Sequence, residues 1–228
     1  MDGREFKDGV FAHFARVGAA LGHGKRVEII DVLAQGERSV EDLAREVGAS
    51  VGNTSRNLQV LAGAGLVTRR VDGTSRVYRL ADPSVLHAYQ ALVAVAEVRI
   101  AEVSALASAF FGEADGARPV TLAELRDAMA ADDQLTLIDV RPEPEFSSGH
   151  VPGAVNVPLA HLAERMSELP RDAPIVAYCR GPYCVMAAAA VHQLREAGFP
   201  AARLEIGYPD WLTGAGTVPD RNPRREGH

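Results

Sequence analysis

The spacing of apolar residues changes character near residue 112, and that change limits the fold more than any other feature of the chain. Upstream, apolar side chains recur in steps of three and four, the period of an amphipathic helix. Phe11, Phe14, Ala15 and Val17 follow it within 4–21, and Val27, Ile30 and Leu33 within 25–34. Downstream, helical stretches near 122–130, 160–168 and 185–197 alternate with apolar, strand-like runs near 136–140, 154–157, 175–178 and 204–206. Such alternation builds a parallel sheet with helices on both faces. Two patterns in 228 residues, with 47% hydrophobic residues to fill two cores, predict two domains and an α/β chain overall. The expected limits are 1–111, a small polar linker at 112–118, a second domain at 119–218 and a disordered polar tail at 219–228.

Within the first domain, Gly22 and Gly24 separate the first two helices and Gly36 ends the second. Ser39-Val40-Glu41-Asp42 approximates a capping box and starts a third helix. Gly48 breaks the chain before a fourth, at 50–64, which is expected to bury Val51, Leu58 and Leu61 and to turn Asn53, Arg56 and Asn57 elsewhere. Two β-rich runs, 66–70 and 75–80, flank Asp72-Gly73, a hairpin signal. Helix, turn, helix, hairpin is the order of a mostly α winged helix-turn-helix. From 83 to about 111 a single long helix is predicted. Its Leu86, Tyr89, Val93, Ala96, Ile100, Val103, Ala107 and Phe110 form a heptad seam. That seam either packs on its own domain or joins two chains. The small domain offers little surface to cover it, so a homodimer is the favoured reading.

The chain carries a net charge of −6, which alone argues against nucleic acid. The charge is uneven, however: residues 1–82 hold 12 basic and 11 acidic side chains, and 83–228 hold 12 and 19. Duplex DNA is therefore expected at the first domain. Ser50, Asn53, Arg56 and Asn57 suit base edges, and the hairpin arginines Arg69, Arg70, Arg76 and Arg79, opposed only by Asp72, suit phosphates. The bland alternative is a solvated hairpin surface. Residues 1–7 do not resemble a secretory leader, and the apolar stretch 88–111 is interrupted by Glu97, Arg99 and Glu102, so no membrane span and a cytoplasmic location are expected.

The only two cysteines lie in one segment, Tyr178-Cys179-Arg180-Gly181-Pro182-Tyr183-Cys184-Val185. Two are too few for a secreted disulfide scaffold. An apolar strand delivers Cys179 at its C-terminal end, where α/β sheets bind ligands, and an alanine-rich helix follows. Loop amides and the helix start favour negative charge there, and Arg180 adds to it. A thiol so placed should ionise readily and act as a nucleophile. The alternative is a buried, inert cysteine.

Two resemblances add to these readings. Leu43-Ala44, Thr54 to Leu61, Ala64-Gly65-Leu66-Val67 and Arg76 to Leu80 resemble the ArsR/SmtB family of bacterial repressors. That resemblance implies a homodimer on operator DNA, relieved by an inducer. Residues 39–47 hold no cysteine and the long helix offers only His87, so no metal is expected. The second domain resembles rhodanese homology domains through Leu137 to Arg141, Glu145-Phe146, Gly149 to Pro158, the Cys179 loop and Gly207 to Trp211. That resemblance implies a persulfide on Cys179 taken from thiosulfate, polysulfide or another persulfide, with no cofactor. It assigns Asp139, Arg141, Glu145 and His150 to the fold. A six-residue loop goes with sulfur in this family, and a seven-residue loop with phosphate or arsenate. The sixth position is Cys184, where thiosulfate-specialised members often carry a basic residue. A persulfide on Cys179 attacked by Cys184 would close the loop; Cys184 as a small apolar helix-start residue is the alternative. Three functions stay open: a repressor sensing sulfane sulfur, a sulfurtransferase with an accessory helix-turn-helix, and a DNA-binding protein with an inert rhodanese-like module.

Overall fold

A computed structural model describes residues 1–112, 118–131 and 135–214. The expected tail and most of the expected linker lie outside the described residues. Two compact units divide at Arg99/Ile100.

The first unit runs α1 (Gly3–Leu21), α2 (Gly24–Leu33), β1 (Arg38–Ser39), α3 (Val40–Glu46), α4 (Val51–Gly63), β2 (Val67–Asp72), β3 (Ser75–Leu80) and α5 (Pro83–Arg99). Asp2 caps α1 in a full capping box, and Ser39 caps α3 by accepting from the Asp42 amide at 3.0 Å. The hairpin pairs Val67 with Leu80 through Asp72 with Ser75, and Gly73 at φ 59° provides the turn that tight hairpins need. β1 adds a third strand beside β3, unannounced by any pattern because it is two residues long. Ile29, Ile30, Leu33, Leu43, Leu58, Leu61 and Tyr78 make the core.

Two expectations fail here. Val51 is 47% exposed, and Thr54 takes its place in the buried row with Leu58 and Leu61. Val51 is the first residue of α4, one turn short of the packing face. The long helix is also not continuous: Ile100 is extended, at φ −116° and ψ 98°, and α6 (Ala101–Phe111) starts after it. No glycine or proline marks that break, so the periodicity ran straight through it. The start of the predicted seam serves its own domain, since Leu86 is buried and the Tyr89 hydroxyl donates to Asp31 Oδ1 at 2.9 Å. The open apolar row of α5 is a different one, Leu92, Val95 and Val98, and α1 exposes Phe6, Phe11 and Phe14.

The second unit contains α6, α7 (Leu122–Ala130), β4 (Thr136–Asp139), α8 (Glu143–Ser148), β5 (Val155–Asn156), α9 (Leu162–Arg165), β6 (Ile175–Tyr178), α10 (Val185–Glu196), β7 (Ala201–Arg203) and α11 (Tyr208–Thr213). The sheet is parallel, in the order β5-β4-β6-β7. The last strand lies earlier than its apolar run predicted; Leu204 instead makes a single parallel bridge with Val120. Alternate residues of β6 enter different cores, as the two-residue strand period requires. Ile175, Ala177 and Cys179 pack with Ala187, Ala190 and Val191 of α10. Val176 and Tyr178 pack with Leu125, Val151 and Ile206 on the other face. Cys179 is therefore set against the alanine-rich helix by strand phase.

Candidate functional site

The cysteine loop leaves β6 at Cys179 and closes at Cys184, the residue before α10. Its turn is held by the Cys184 amide donating to the Gly181 carbonyl at 3.1 Å. From below, Gly207 is in intimate contact: a Cβ there would lie 2.0 Å from the Arg180 carbonyl oxygen. The Tyr208 amide donates to the Cys179 carbonyl at 3.3 Å, and Asp210 accepts from the Gly207 amide at 3.1 Å. The segment from Gly207 to Asp210 is thus a floor for the loop, and its glycine is required by close approach.

Arg180, Gly181, Pro182, Tyr183, Cys184 and Val185 all border the turn, and the positive charge of Arg180 favours ionisation of Cys184, as expected of a cation in the loop. Its guanidinium pairs with the buried Glu145, Nε donating to Oε2 at 3.1 Å and Nη2 to Oε1 at 2.5 Å. Glu145 therefore anchors the loop as well as belonging to the fold. Behind it, Arg141 is fully buried: Nε donates to Asp139 Oδ1 at 3.0 Å and Nη2 to the Gly149 carbonyl at 2.8 Å. The guanidinium lies 4.9 Å from the Tyr208 ring centroid, within cation–π range. The Tyr178 hydroxyl accepts from the Val151 amide at 3.0 Å. His150 stacks on Phe146, ring centroids 3.7 Å apart.

The two thiols are free, and each shifts the ionisation of the other. Cys179 is 2% exposed, with Sγ 3.6 Å from the Cys184 carbonyl oxygen and 3.9 Å from that of Gly181. Cys184 is half-buried. Amides do ring the pair, but they are divided: those of Gly181 and Ala187 favour charge on Cys179, those of Arg180 and Met186 on Cys184. Burial and the neighbouring thiol outweigh them at Cys179 and push its pKa well up. The Cys179 thiol pulls Cys184 down to about 7. The expected readily ionised thiol is thus Cys184 rather than Cys179. Sequence reasoning missed this because it placed the amides correctly but could not weigh them against burial.

Beyond the loop, Arg203 is nearly buried on β7, donates to the Pro182 carbonyl at 3.4 Å and lies 4.8 Å from the ring centroid of Phe111 on α6. Among the described residues no cluster of three or more histidine, cysteine, aspartate or glutamate side chains is arranged for a metal.

In the first unit, Asn53 and Arg56 are exposed on α4 and Asn57 is half-buried. Ser50 is the N-cap of α4 and accepts from the Asn53 amide at 3.3 Å, so its hydroxyl is engaged in capping. Arg69, Arg70, Arg76 and Arg79 are exposed on the hairpin. Asp72 is not their only counter-charge. Arg70 pairs with Glu37 and, at 2.7 Å, with Asp72.

A family model described as "Bacterial regulatory protein, arsR family" matches residues 23–69, and one described as a rhodanese-like domain matches residues 121–213. The HTH-type transcriptional regulator Rv0324 of Mycobacterium tuberculosis is 45% identical over 197 residues, covering 86% of each chain. The chain belongs to the ArsR family of regulators and carries a rhodanese-like domain. This ArsR-type regulator also resembles proteins matching one half only. A sulfurtransferase of Allochromatium vinosum is 36% identical over 56 residues, covering 25% of this chain and 52% of its own. The winged helix-turn-helix domain of Mb0332 from Mycobacterium bovis, solved as a homodimer, is 39% identical with a TM-score of 0.41, covering 44% of this chain and 91% of its own. No helix of the regulator's described residues is long and apolar enough to cross a membrane.

Proposed function

We propose that this regulator is a cytoplasmic homodimer that binds operator DNA through α4 and the hairpin and responds to sulfane sulfur at the Cys179 loop, where Cys179 carries the persulfide. The observation that carries this reading is the pair of free thiols at the two ends of a six-residue, amide-lined loop between β6 and α10, with Cys179 Sγ 3.6 Å from the Cys184 carbonyl oxygen. A cysteine kept only for packing has no need of such a partner. Dimerisation is supported by the open apolar faces of α1 and α5, which water would otherwise solvate at a cost. Arg56, Asn53 and Asn57 would meet base edges, and Arg69, Arg76 and Arg79 phosphates. The loop's state would reach α6 through Pro182, Arg203 and Phe111, and α6 continues into α5 through Ile100.

The burial of Cys179 favours one other reading, an inert rhodanese-like module. The two part on a single experiment. The full chain, reduced and held without oxygen, is treated with inorganic polysulfide and alkylated, and residue 179 is read by mass spectrometry. An added sulfur at Cys179, or loss of its free thiol, supports the sulfur reading. A Cys179 left as found supports the inert module. Continuous thiocyanate production from thiosulfate and cyanide would show catalytic turnover in addition.

A further inference from the structure

We propose that Cys179 and Cys184 form a reducing dithiol that converts sulfane sulfur to sulfide and closes as a disulfide across the loop. This rests on the sulfur reading above and gives the loop a second state that outlasts the persulfide.

The geometry assigns the two sulfurs different duties. Cys179 sits at the end of β6, buried against α10, its thiol held among the carbonyl oxygens of Gly181 and Cys184. Cys184 sits on the turn, more open, with its carbonyl oxygen 3.6 Å from Cys179 Sγ. The residue that carries the second sulfur is therefore in contact with the first before chemistry begins. Near pH 7 Cys184, lowered to about 7, is ionised in a substantial fraction of chains, while burial keeps Cys179 protonated.

The steps balance as follows. Cys184 thiolate takes the Cys179 proton. The Cys179 thiolate so formed attacks the outer sulfur of a persulfide donor RS–SH, forming Cys179–S–SH and releasing RS⁻. RS⁻ takes the proton from Cys184 and leaves as RSH. Cys184 thiolate then attacks the Cys179 sulfur, the Cys179–SH sulfur bond breaks, and HS⁻ departs. The two thiols are oxidised to one disulfide, and the sulfane sulfur is reduced to sulfide by the same two electrons. The donor is the only co-reactant. Thiolate attack of this kind is the ordinary route of thiol–disulfide exchange.

The closed bridge would shorten the loop. Pro182 lies inside it, so the contact from Pro182 to Arg203, and from Arg203 to Phe111, is where the new state would first be felt.

Arg180 makes the product easy to recognise. Trypsin cuts after it, so Cys179 and Cys184 fall on separate peptides joined only by a disulfide. The full-length reduced chain is treated without oxygen with one equivalent of glutathione persulfide, whose leaving group is glutathione and not sulfide, alkylated at low pH and digested, and free sulfide is measured in parallel. The expected wild-type result is the joined peptide pair with about one sulfide released per chain. Cys184→Ser should take up sulfur more slowly, keep a persulfide on Cys179 and release no sulfide. A wild-type chain that holds a lasting Cys179 persulfide with no joined peptides overturns this proposal and leaves the sulfur reading intact. Wild-type sulfide release by Cys184→Ser overturns it as well. A chain that acquires no sulfur at either cysteine overturns both.

Discussion

Phe111 closes α6 with its ring 4.8 Å from the guanidinium of Arg203, and that guanidinium also donates to Pro182 in the cysteine loop. One side chain thus touches both the cysteine loop and the helix that follows α5 in the chain. A cation over an aromatic face is worth about 0.5–2 kcal/mol, enough to bias a joint without fixing it. Phe111→Ala should leave the reaction of the loop with polysulfide unchanged while weakening its effect on operator binding several-fold. Equal loss of both would place Phe111 in the stability of the domain instead. The measurement is sulfur uptake by mass spectrometry beside a DNA-shift titration of the same sample.

The thiol pair predicts an unusual pH profile. A free cysteine titrates near ~8.5. Cys184 is held down at about 7 and Cys179 well above its ordinary value. The thiolate is the reactive form, so reaction rises with pH through each group's pKa. Iodoacetamide should therefore modify Cys184 first, at a rate that falls on acidification below about 7 and levels off above it. Cys179 should stay protected across that window. Peptide-resolved alkylation between pH 5 and 9 checks both statements. Cys179→Ser removes the thiol that lowers Cys184 and should move its midpoint upward.

The hairpin arginines divide into two groups by pairing. Arg70 is committed to Glu37 and Asp72. Arg69 and Arg76 make no ion pair among the described residues. Each phosphate contact contributes roughly one unit to the slope of log affinity against log salt. Arg69→Ala and Arg76→Ala should each lower that slope by about one, and Arg70→Ala by less. Fluorescence anisotropy with a labelled duplex spanning the regulator's own promoter, at several salt concentrations, gives the three slopes.

Thr54 carries a prediction for stability. Its hydroxyl oxygen is fully buried in α4 without a hydrogen-bond partner among the described residues. An unsatisfied buried polar group costs about 1–3 kcal/mol, and an apolar replacement of the same shape removes the penalty. Thr54→Val should therefore raise the resistance of the first domain to urea, by about 1 kcal/mol or more. Equilibrium unfolding followed by circular dichroism tests it; unchanged stability would mean that the hydroxyl finds a partner in solution.

Much of this architecture is legible in the sequence because local chemistry and global fold agree. Ser39 caps its helix, Gly73 supplies the hairpin turn, and the strand at Ile175–Tyr178 delivers Cys179 where the pattern put it. The misses have physical causes. Ile100 breaks a helix with no breaker residue, because tertiary division of the chain outweighs local periodicity there. Val51 and Thr54 exchange roles because position within the first turn, not hydrophobicity alone, decides which side chain meets the core. Arg180 adds positive charge beside Cys184, as its place in the loop suggested, but its tie to Glu145, far away in sequence, was not legible. The charge on Cys184 was hidden for the same reason: burial and a neighbouring thiol are properties of the folded chain. The floor at Gly207 was visible only as an imperfect family signature, and its close approach to Arg180 gives that signature a steric meaning.

The central claim is that sulfur at the loop alters DNA binding, and operator affinity tests it most directly. The full-length regulator, reduced and without oxygen, is titrated onto its promoter duplex at fixed salt before and after treatment with inorganic polysulfide. Typical coupling of about 1–3 kcal/mol predicts an affinity change of about 5- to 150-fold, abolished in Cys179→Ser. Identical affinities before and after treatment, with the loop demonstrably modified, would contradict the account.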